Sequence, residues 1–110
     1  MILEKFKLGW KSKFEPKLEM LTRLFPDSTI VTAIRYHGML KITASALDSD
    51  VQYVLDCVTH KIERESASTC EECGKHGIRR DAYLPEKMCL CWQCYVLEID
   101  TLQQNTKTKE

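Results

Sequence analysis

Apolar residues recur at helical spacing between two prolines near the start of the chain. Pro16 suits the first turn of a helix because its missing N–H is not needed there, and Pro26 ends the run. Between them, one helical face carries four apolar residues, Leu18, Leu21, Leu24 and Phe25. This pattern predicts a first helix over about residues 15–25.

Two segments rich in β-branched residues follow, at 29–36 (TIVTAIRY) and 39–46 (MLKITASA). His37 and Gly38 separate them, and the glycine supplies the positive φ that a tight turn needs. The pattern predicts a β-hairpin. We expect one face of this hairpin to carry its larger apolar residues, Ile30, Ile34, Leu40 and Ile42.

A clear helical stripe lies over residues 49–65, formed by Val51, Val54, Leu55, Val58 and Ile62. Ser49 and Gln52 have the spacing of a capping box. Cys57 lies near the apolar side of this helix, so we expect it to be a small buried core residue. Residues 1–66 are therefore predicted to form an α-β-β-α domain in which both helices cover one face of a small antiparallel sheet.

The C-terminal part of the chain carries two Cys-x-x-Cys pairs, Cys70/Cys73 and Cys91/Cys94. A knuckle at the first pair, a short hairpin that turns near residues 84–87, and a helix opened by the second pair together describe a treble-clef module over residues 67–104. A zinc ribbon, with both pairs on knuckles, is the alternative. Only residues 105–110 are expected to be disordered. The fold class is thus α+β, a small helix-hairpin-helix domain with a zinc module.

Two such pairs, with 17 residues between them, can converge on one tetrahedral zinc ion. Cys89 is an alternative ligand, because on a strand it would point the same way as Cys91. His76 follows the first pair too closely and is expected to be exposed or next to a ligand. Four protein ligands leave no position for water, so the zinc would be structural. The predicted ligand set is Cys70, Cys73, Cys91 and Cys94.

The amino-acid composition limits which classes of protein the chain can belong to. The chain has 110 residues, 44% of them hydrophobic and 29% charged, which is ordinary for a soluble globular protein. Its 16 basic residues balance 16 acidic ones, which argues against a strongly basic nucleic-acid binder. No secretion signal or membrane segment is recognised in the lysine-rich start, so we expect a cytoplasmic protein. In a reducing cytoplasm, Cys-x-x-Cys pairs favour metal binding over disulfides, and the context of a thioredoxin-like redox site is missing.

Several segments carry a family resemblance: Gly9-Trp10 near the start, Gly38-Met39-Leu40 in the hairpin, residues 68–77 (STCEECGKHG) at the knuckle, and residues 90–94 (LCWQC). On these segments the chain resembles an uncharacterised family of small bacterial and phage zinc-knuckle proteins. Cys94 stands where that family frequently has histidine, and Cys89 is extra. The resemblance implies zinc binding and a cytoplasmic location in a bacterium or a phage-infected cell, and no particular activity.

No Ser/His/Asp or Cys/His grouping with catalytic spacing is recognised, so we expect a protein that is not an enzyme. The first hypothesis is a protein-interaction or regulatory module, because an acidic helix over residues 49–65 and a basic N-terminus make a bipolar surface that can pair with a partner or with a second copy. By analogy with phage proteins, the partner would be a host complex. The alternative is nucleic-acid binding, with Phe6, Trp10 and Phe14 stacking on bases and the charge supplied by Lys11, Lys13, Arg79 and Arg80.

Overall fold

The structure, a computed structural model, describes residues 2–3, 5–25 and 30–108. Within them the chain forms three helices and two antiparallel hairpins, which confirms the predicted α+β class. The elements in chain order are α1 (Leu8–Leu24), β1 (Ile30–Tyr36), β2 (Met39–Ser45), α2 (Ser49–Ser66), β3 (Ile78–Arg80), β4 (Met88–Leu90) and α3 (Trp92–Thr108). None of the described helices is long and apolar enough to cross a membrane.

Helix α1 begins at Leu8, about two turns before the predicted start, and Pro16 lies inside it on the exposed side. The stripe that faces the core starts with Trp10 and Phe14, both fully buried, and continues through Leu18 and Leu21. An interior proline costs a helix about 3 kcal/mol. Burial of two large aromatic side chains offsets that cost, so the position of a proline is a poor guide to this helix start.

The first hairpin has the predicted two-residue turn, with φ values of 51° at His37 and 80° at Gly38. Because Tyr36 pairs with Met39 across this turn, odd-numbered residues of β1 share a face with even-numbered residues of β2. Leu40 and Ile42 therefore point into the core with Val31 and Ala33, whereas Ile34 lies on the opposite face and is 60% exposed. The predicted face, which combined Ile30 and Ile34 with Leu40 and Ile42, is therefore wrong in placing Ile34 with Leu40 and Ile42; the side chain of Ile30 lies outside the described part of the structure.

Helix α2 runs along the outer edge of β2 and supplies hydrogen-bond partners to that edge. Ser66 Oγ accepts from Leu40 N–H at 2.8 Å, and a Glu63 carboxylate oxygen accepts from Ile42 N–H at 2.6 Å. Gln52 bonds both Ala46 N–H and the Ala44 carbonyl. Gln52 is thus not part of a capping box. The helix is capped instead by Asp48, whose carboxylate accepts from the N–H groups of residues 50 and 51.

Both helices pack on the same face of the first hairpin and share one core. The buried members of that core are Leu3, Trp10, Phe14, Leu18, Leu21, Leu40, Ile42, Leu55, Ile62 and Cys89. Cys57 is exposed rather than buried, so the sequence-based expectation for this residue is wrong. Cys57 follows buried Leu55 by two residues, which places it about 200° around the helix, on the polar side. A second, smaller cluster of Cys70, Met88 and Leu90 supports the C-terminal module.

Helix α3 contacts mainly β4 and otherwise projects from the protein, whose longest extent is 55 Å. The radius of gyration of 16.1 Å exceeds the value of about 13 Å typical of a compact chain of this size. Residues 105–108, which the sequence assigns to a disordered tail, belong to this helix, and residues 109–110 lie outside the described part of the chain.

We predict that Ser66→Ala lowers the free energy of unfolding by about 1–3 kcal/mol, because it leaves the buried Leu40 N–H without an acceptor. Urea unfolding followed by circular dichroism measures the change. Ser68→Ala is the matched control, since that hydroxyl is exposed, and its effect should stay within about 0.5 kcal/mol. Equal effects of the two substitutions would contradict the role assigned to Ser66.

Candidate metal centre

The four predicted cysteines come together at one point. The Sγ atoms of Cys70, Cys73, Cys91 and Cys94 all lie within 4.8 Å of one another. The Sγ atoms of Cys73 and Cys91 are 3.7 Å apart. A tetrahedral zinc site with bonds of about 2.3 Å has edges of about 3.8 Å, so this spacing suits one metal ion. The arrangement could hold a metal ion, and the donor set consists of soft thiolates.

The first pair is held in a tight loop. An isolated bridge between Thr69 and His76 closes the loop, and Cys70 N–H donates to the Lys75 carbonyl at 2.7 Å. Gly74 N–H donates back to the Cys70 carbonyl at 2.9 Å. Gly74 has a φ of +83°, a conformation that favours glycine. The backbone therefore returns on itself within a few residues, and both sulfurs of the pair point to the same side.

The second pair lies at the start of α3. Cys91 precedes the helix, Cys94 is in its first turn, and Cys94 N–H donates to the Cys91 sulfur at 3.5 Å. This bond from the backbone lowers the pKa of the Cys91 thiol to about 7. Burial raises the pKa of Cys94. The Cys91 thiol is therefore partly deprotonated near neutral pH, whereas deprotonation of Cys94 would need the positive charge of a bound ion.

Cys89 and His76 stand apart from the four sulfurs. Cys89 is fully buried on β4, and its thiol donates to the Ala67 carbonyl at 3.4 Å. Burial raises the pKa of this thiol to about 12, which disfavours the thiolate that a metal would need. His76 is exposed and does not belong to the cluster. Of the alternatives left open by the sequence, the structure thus favours the two Cys-x-x-Cys pairs.

The N-terminal end of α1 rests directly on the loop that carries Cys70 and Cys73. Trp10 N–H donates to the Glu71 carbonyl at 3.2 Å, and the indole Nε1–H of the same residue donates to the Thr69 carbonyl at 2.8 Å. No side chain caps α1, so the loop carbonyl satisfies an N–H that the first turn of a helix otherwise leaves without a partner. Gly9 makes this approach possible, because a Cβ there would overlap the loop backbone, with the Glu71 oxygen only 2.6 Å away.

Glu71, between the two cysteines of the loop, is a buried carboxylate that sequence reasoning missed. One of its oxygens accepts from Arg35 Nε at 2.8 Å and from Arg35 Nη2 at 2.7 Å, and the other accepts from Cys89 N–H at 2.9 Å. Burial raises the pKa of Glu71, and the Cys89 N–H and the Arg35 guanidinium oppose that shift. Arg35 also reaches the exposed carboxylate of Glu86. Arg35 gave no warning in the sequence, because the predicted buried face of β1 was the one that carries Ile34; a need for a partner follows only from the observed pairing, which turns Arg35 inward.

The residues predicted for nucleic-acid binding are not brought together as expected. Trp10 and Phe14 are fully buried, so neither is free to stack on bases, and Phe6 packs on the core. Lys11 and Lys13 lie on α1, with the Lys13 ammonium 3.5 Å from Thr69 Oγ1. Arg79 and Arg80 lie on β3, where Arg79 packs over Gly38. The aromatic side chains of the predicted basic N-terminus therefore pack in or against the core.

An exposed aromatic side chain that is paired with a cation lies elsewhere, at the start of α3. Trp92 is 65% exposed, and the Arg80 guanidinium lies 5.5 Å from its ring centroid and 4.9 Å from that of Tyr95. Arg80 also donates to the Leu90 carbonyl at 3.0 Å. The cation is therefore held between the hairpin and two aromatic rings, which fixes the Trp92 side chain at the surface.

Comparison of the chain with family models, with curated proteins and with solved structures gives no match. The resemblance to small bacterial and phage zinc-knuckle proteins therefore stays a prediction.

We predict that Gly9→Ala destabilises the protein, although alanine is the better helix former by about 1 kcal/mol. The added methyl group must displace the loop backbone from the end of α1. Urea unfolding should therefore show a loss, on the order of 1–3 kcal/mol. Ser12→Ala, at an exposed site of the same helix, is the control and should change little. A gain in stability for Gly9→Ala would refute the docking of α1 on the loop.

Proposed function

We propose that this chain is a non-enzymatic protein in which one structural zinc ion, held by Cys70, Cys73, Cys91 and Cys94, organises a treble-clef module that serves protein interaction or regulation. The observation that supports the proposal is the convergence of four thiol sulfurs within 4.8 Å. The order of loop, β3–β4 hairpin and helix start supports a treble clef over two equivalent knuckles. Zinc is the ion that four thiolates most often hold in a closed tetrahedral site.

The contacts of the first loop explain why zinc would matter for the whole chain. The same loop that supplies two sulfurs caps α1 through Trp10 and neutralises Arg35 through Glu71. Metal binding would therefore add its free energy to the packing of α1 and β1 as well as to the C-terminal module. A short chain gains much from such a link, because it buries a smaller fraction of its surface than a larger one.

The interaction role is supported by apolar side chains that α3 leaves uncovered. Trp92, Val96 and Leu97 are all exposed near the base of the helix, and Leu97 is 64% exposed. With all four zinc positions taken by sulfur, the ion would offer no site for substrate or water. A helix held rigidly at its base by a metal centre suits the presentation of such a surface to a protein partner. In the cytoplasm of a bacterium or of a phage-infected cell, that partner would be a host protein complex.

We predict one zinc ion per chain, and a series of cysteine substitutions tests the ligand set. Cys73→Ser should bind zinc much more weakly, whereas Cys57→Ser and Cys89→Ser should each keep full occupancy, because Cys57 is exposed in α2 and Cys89 is outside the cluster. Zinc content by plasma mass spectrometry, and the thiolate absorbance of the cobalt form, give the readouts. Full occupancy in Cys73→Ser, or its loss only in Cys89→Ser, would overturn the ligand set.

Tryptophan fluorescence of the zinc-loaded protein tests whether metal binding also holds the contact between the Cys70/Cys73 loop and α1. Trp92→Phe leaves fully buried Trp10 as the remaining tryptophan of the two in the chain. Removal of zinc from this variant should shift the emission to longer wavelength, because the loop would no longer hold the indole N–H. An unchanged spectrum would mean that the metal organises the C-terminal module alone.

Nucleic-acid binding stays as a second candidate because of a specific observation. Arg80 lies against exposed Trp92, and this pairing of a cation with an aromatic ring resembles the surface on which single-stranded nucleic acid stacks. The simpler interpretation of this contact is that Arg80 holds the Trp92 side chain in place for a protein partner. The formal charge of zero also gives little general attraction for phosphate.

We expect affinity capture from the native host cell to recover a protein partner that Leu97→Glu loses and that Tyr53→Ala, an exposed aromatic change on α2, retains. Labelled single-stranded DNA and RNA, titrated at two salt concentrations, supply the opposing measurement. Salt-dependent binding that Arg80→Gln weakens and Lys61→Gln does not would reverse the ranking of the two candidates.

A further inference from the structure

The two edges of the first hairpin differ in whether their outward-pointing backbone groups have hydrogen-bond partners. On β2, the outward N–H groups of Leu40 and Ile42 bond to Ser66 and Glu63, and Gln52 bonds the Ala44 carbonyl beyond them. Helix α2 therefore satisfies this edge with its own side chains. An edge covered in this way cannot pair with another strand.

Within the described part of the chain, the edge of β1 receives no such cover. The backbone N–H groups of Leu40 and Ile42 point away from β1. In an antiparallel pair, the backbone N–H and carbonyl groups of their cross-strand partners, Arg35 and Ala33, must then point away from β2, and those of Val31 must do the same. Among the described residues, no hydrogen bond reaches the backbone N–H or carbonyl groups of these three positions. A run of outward-pointing groups at alternate positions is a template for another strand.

Strand β1 also lacks the devices that usually protect an edge. It is seven residues long, IVTAIRY, and contains neither proline nor lysine, and its register runs without a bulge. Its one charge, Arg35, is turned to the buried face and held by Glu71. The opposite face shows two large exposed side chains, Ile34 and Tyr36. A sheet of only two strands is marginal alone, so an added strand would stabilise it.

We infer that β1 pairs antiparallel with β1 of a second copy of this chain, about a twofold axis at Ala33, to form a four-stranded sheet. This register sets Val31 of one copy opposite Arg35 of the other and makes about six N–H···O bonds. Ile34 of each copy lies beside Thr32 of the other on the exposed face, which covers part of that apolar side chain. No like charges face each other across the axis.

The outer edges of the assembled sheet favour a second copy over a foreign strand. In the order β2-β1-β1-β2, both outer strands are β2, and α2 already covers the edge of each. The four-stranded sheet therefore has no open edge, and the twofold interface closes at two copies. A peptide strand added to β1 would instead leave its own far edge exposed.

The test is the oligomeric state of the zinc-loaded full chain, measured by sedimentation velocity over a range of concentrations. We expect a monomer–dimer equilibrium that Ile34→Lys weakens by about tenfold or more, since lysine at an edge disfavours pairing. Ala33→Pro should weaken it as well, because it removes an outward N–H and no bond of the β1–β2 ladder. Thr43→Lys adds the same charge to the same face of β2, away from the edge, and should leave the dimer intact.

Hydrogen exchange locates the interface. The amides of residues 31, 33 and 35 should gain protection as the concentration of the chain rises, while those of residues 40 and 42 should not change. A wild-type chain that stays monomeric, or a dimer that Ile34→Lys leaves intact, would overturn the inference. A dimer that Thr43→Lys weakens as much as Ile34→Lys would place the contact on the sheet face and overturn it equally. If Ala33→Pro does not fold, Ile34→Lys and the exchange data decide.

Discussion

The structure depends on the contact between one short loop and two distant elements. The loop of Cys70 and Cys73 gives its carbonyl groups to Trp10 and its only fully buried carboxylate to Arg35. These bonds satisfy a helix-terminal N–H and an indole N–H and provide the buried counter-ion of the Arg35 guanidinium, which also reaches Glu86 at the surface. The loop is therefore at once a candidate ligand-bearing turn, a helix cap and a counter-ion, and these roles cannot be changed independently.

The pair formed by Glu71 and Arg35 contributes more to the choice of one structure than to net stability. Burial of a carboxylate is costly, and the attraction of an arginine often does no more than offset it. The raised pKa of Glu71 has this origin. Removal of one partner, in contrast, leaves an uncompensated charge in a buried site. The pair thus penalises any arrangement in which the first hairpin and the loop are displaced from each other. In this way a small core can specify a single packing of its parts.

The sequence revealed what depends on local pattern and missed what depends on distant partners. The stripe of α2, the turn at Gly38 and the two cysteine pairs are short-range signals, and the structure contains all of them. The start of α1 was missed because burial of Trp10 and Phe14 overrides the local effect of Pro16. The buried face of the hairpin was misassigned because it follows from the parity of pairing across the turn, not from hydrophobicity. Glu71 has no local signal at all, since its partner lies on another element.

The four sulfurs differ in their access to solvent. Cys70 is fully buried beneath the end of α1, whereas Cys73 is exposed. Any ion held between them is therefore shielded on one side and open on the other. A chelator or a competing thiol would approach such an ion from the open side, so we would expect the bond to Cys73 to break first and the bond to Cys70 last. The release of such an ion would therefore depend on how deeply the loop beneath Trp10 buries Cys70.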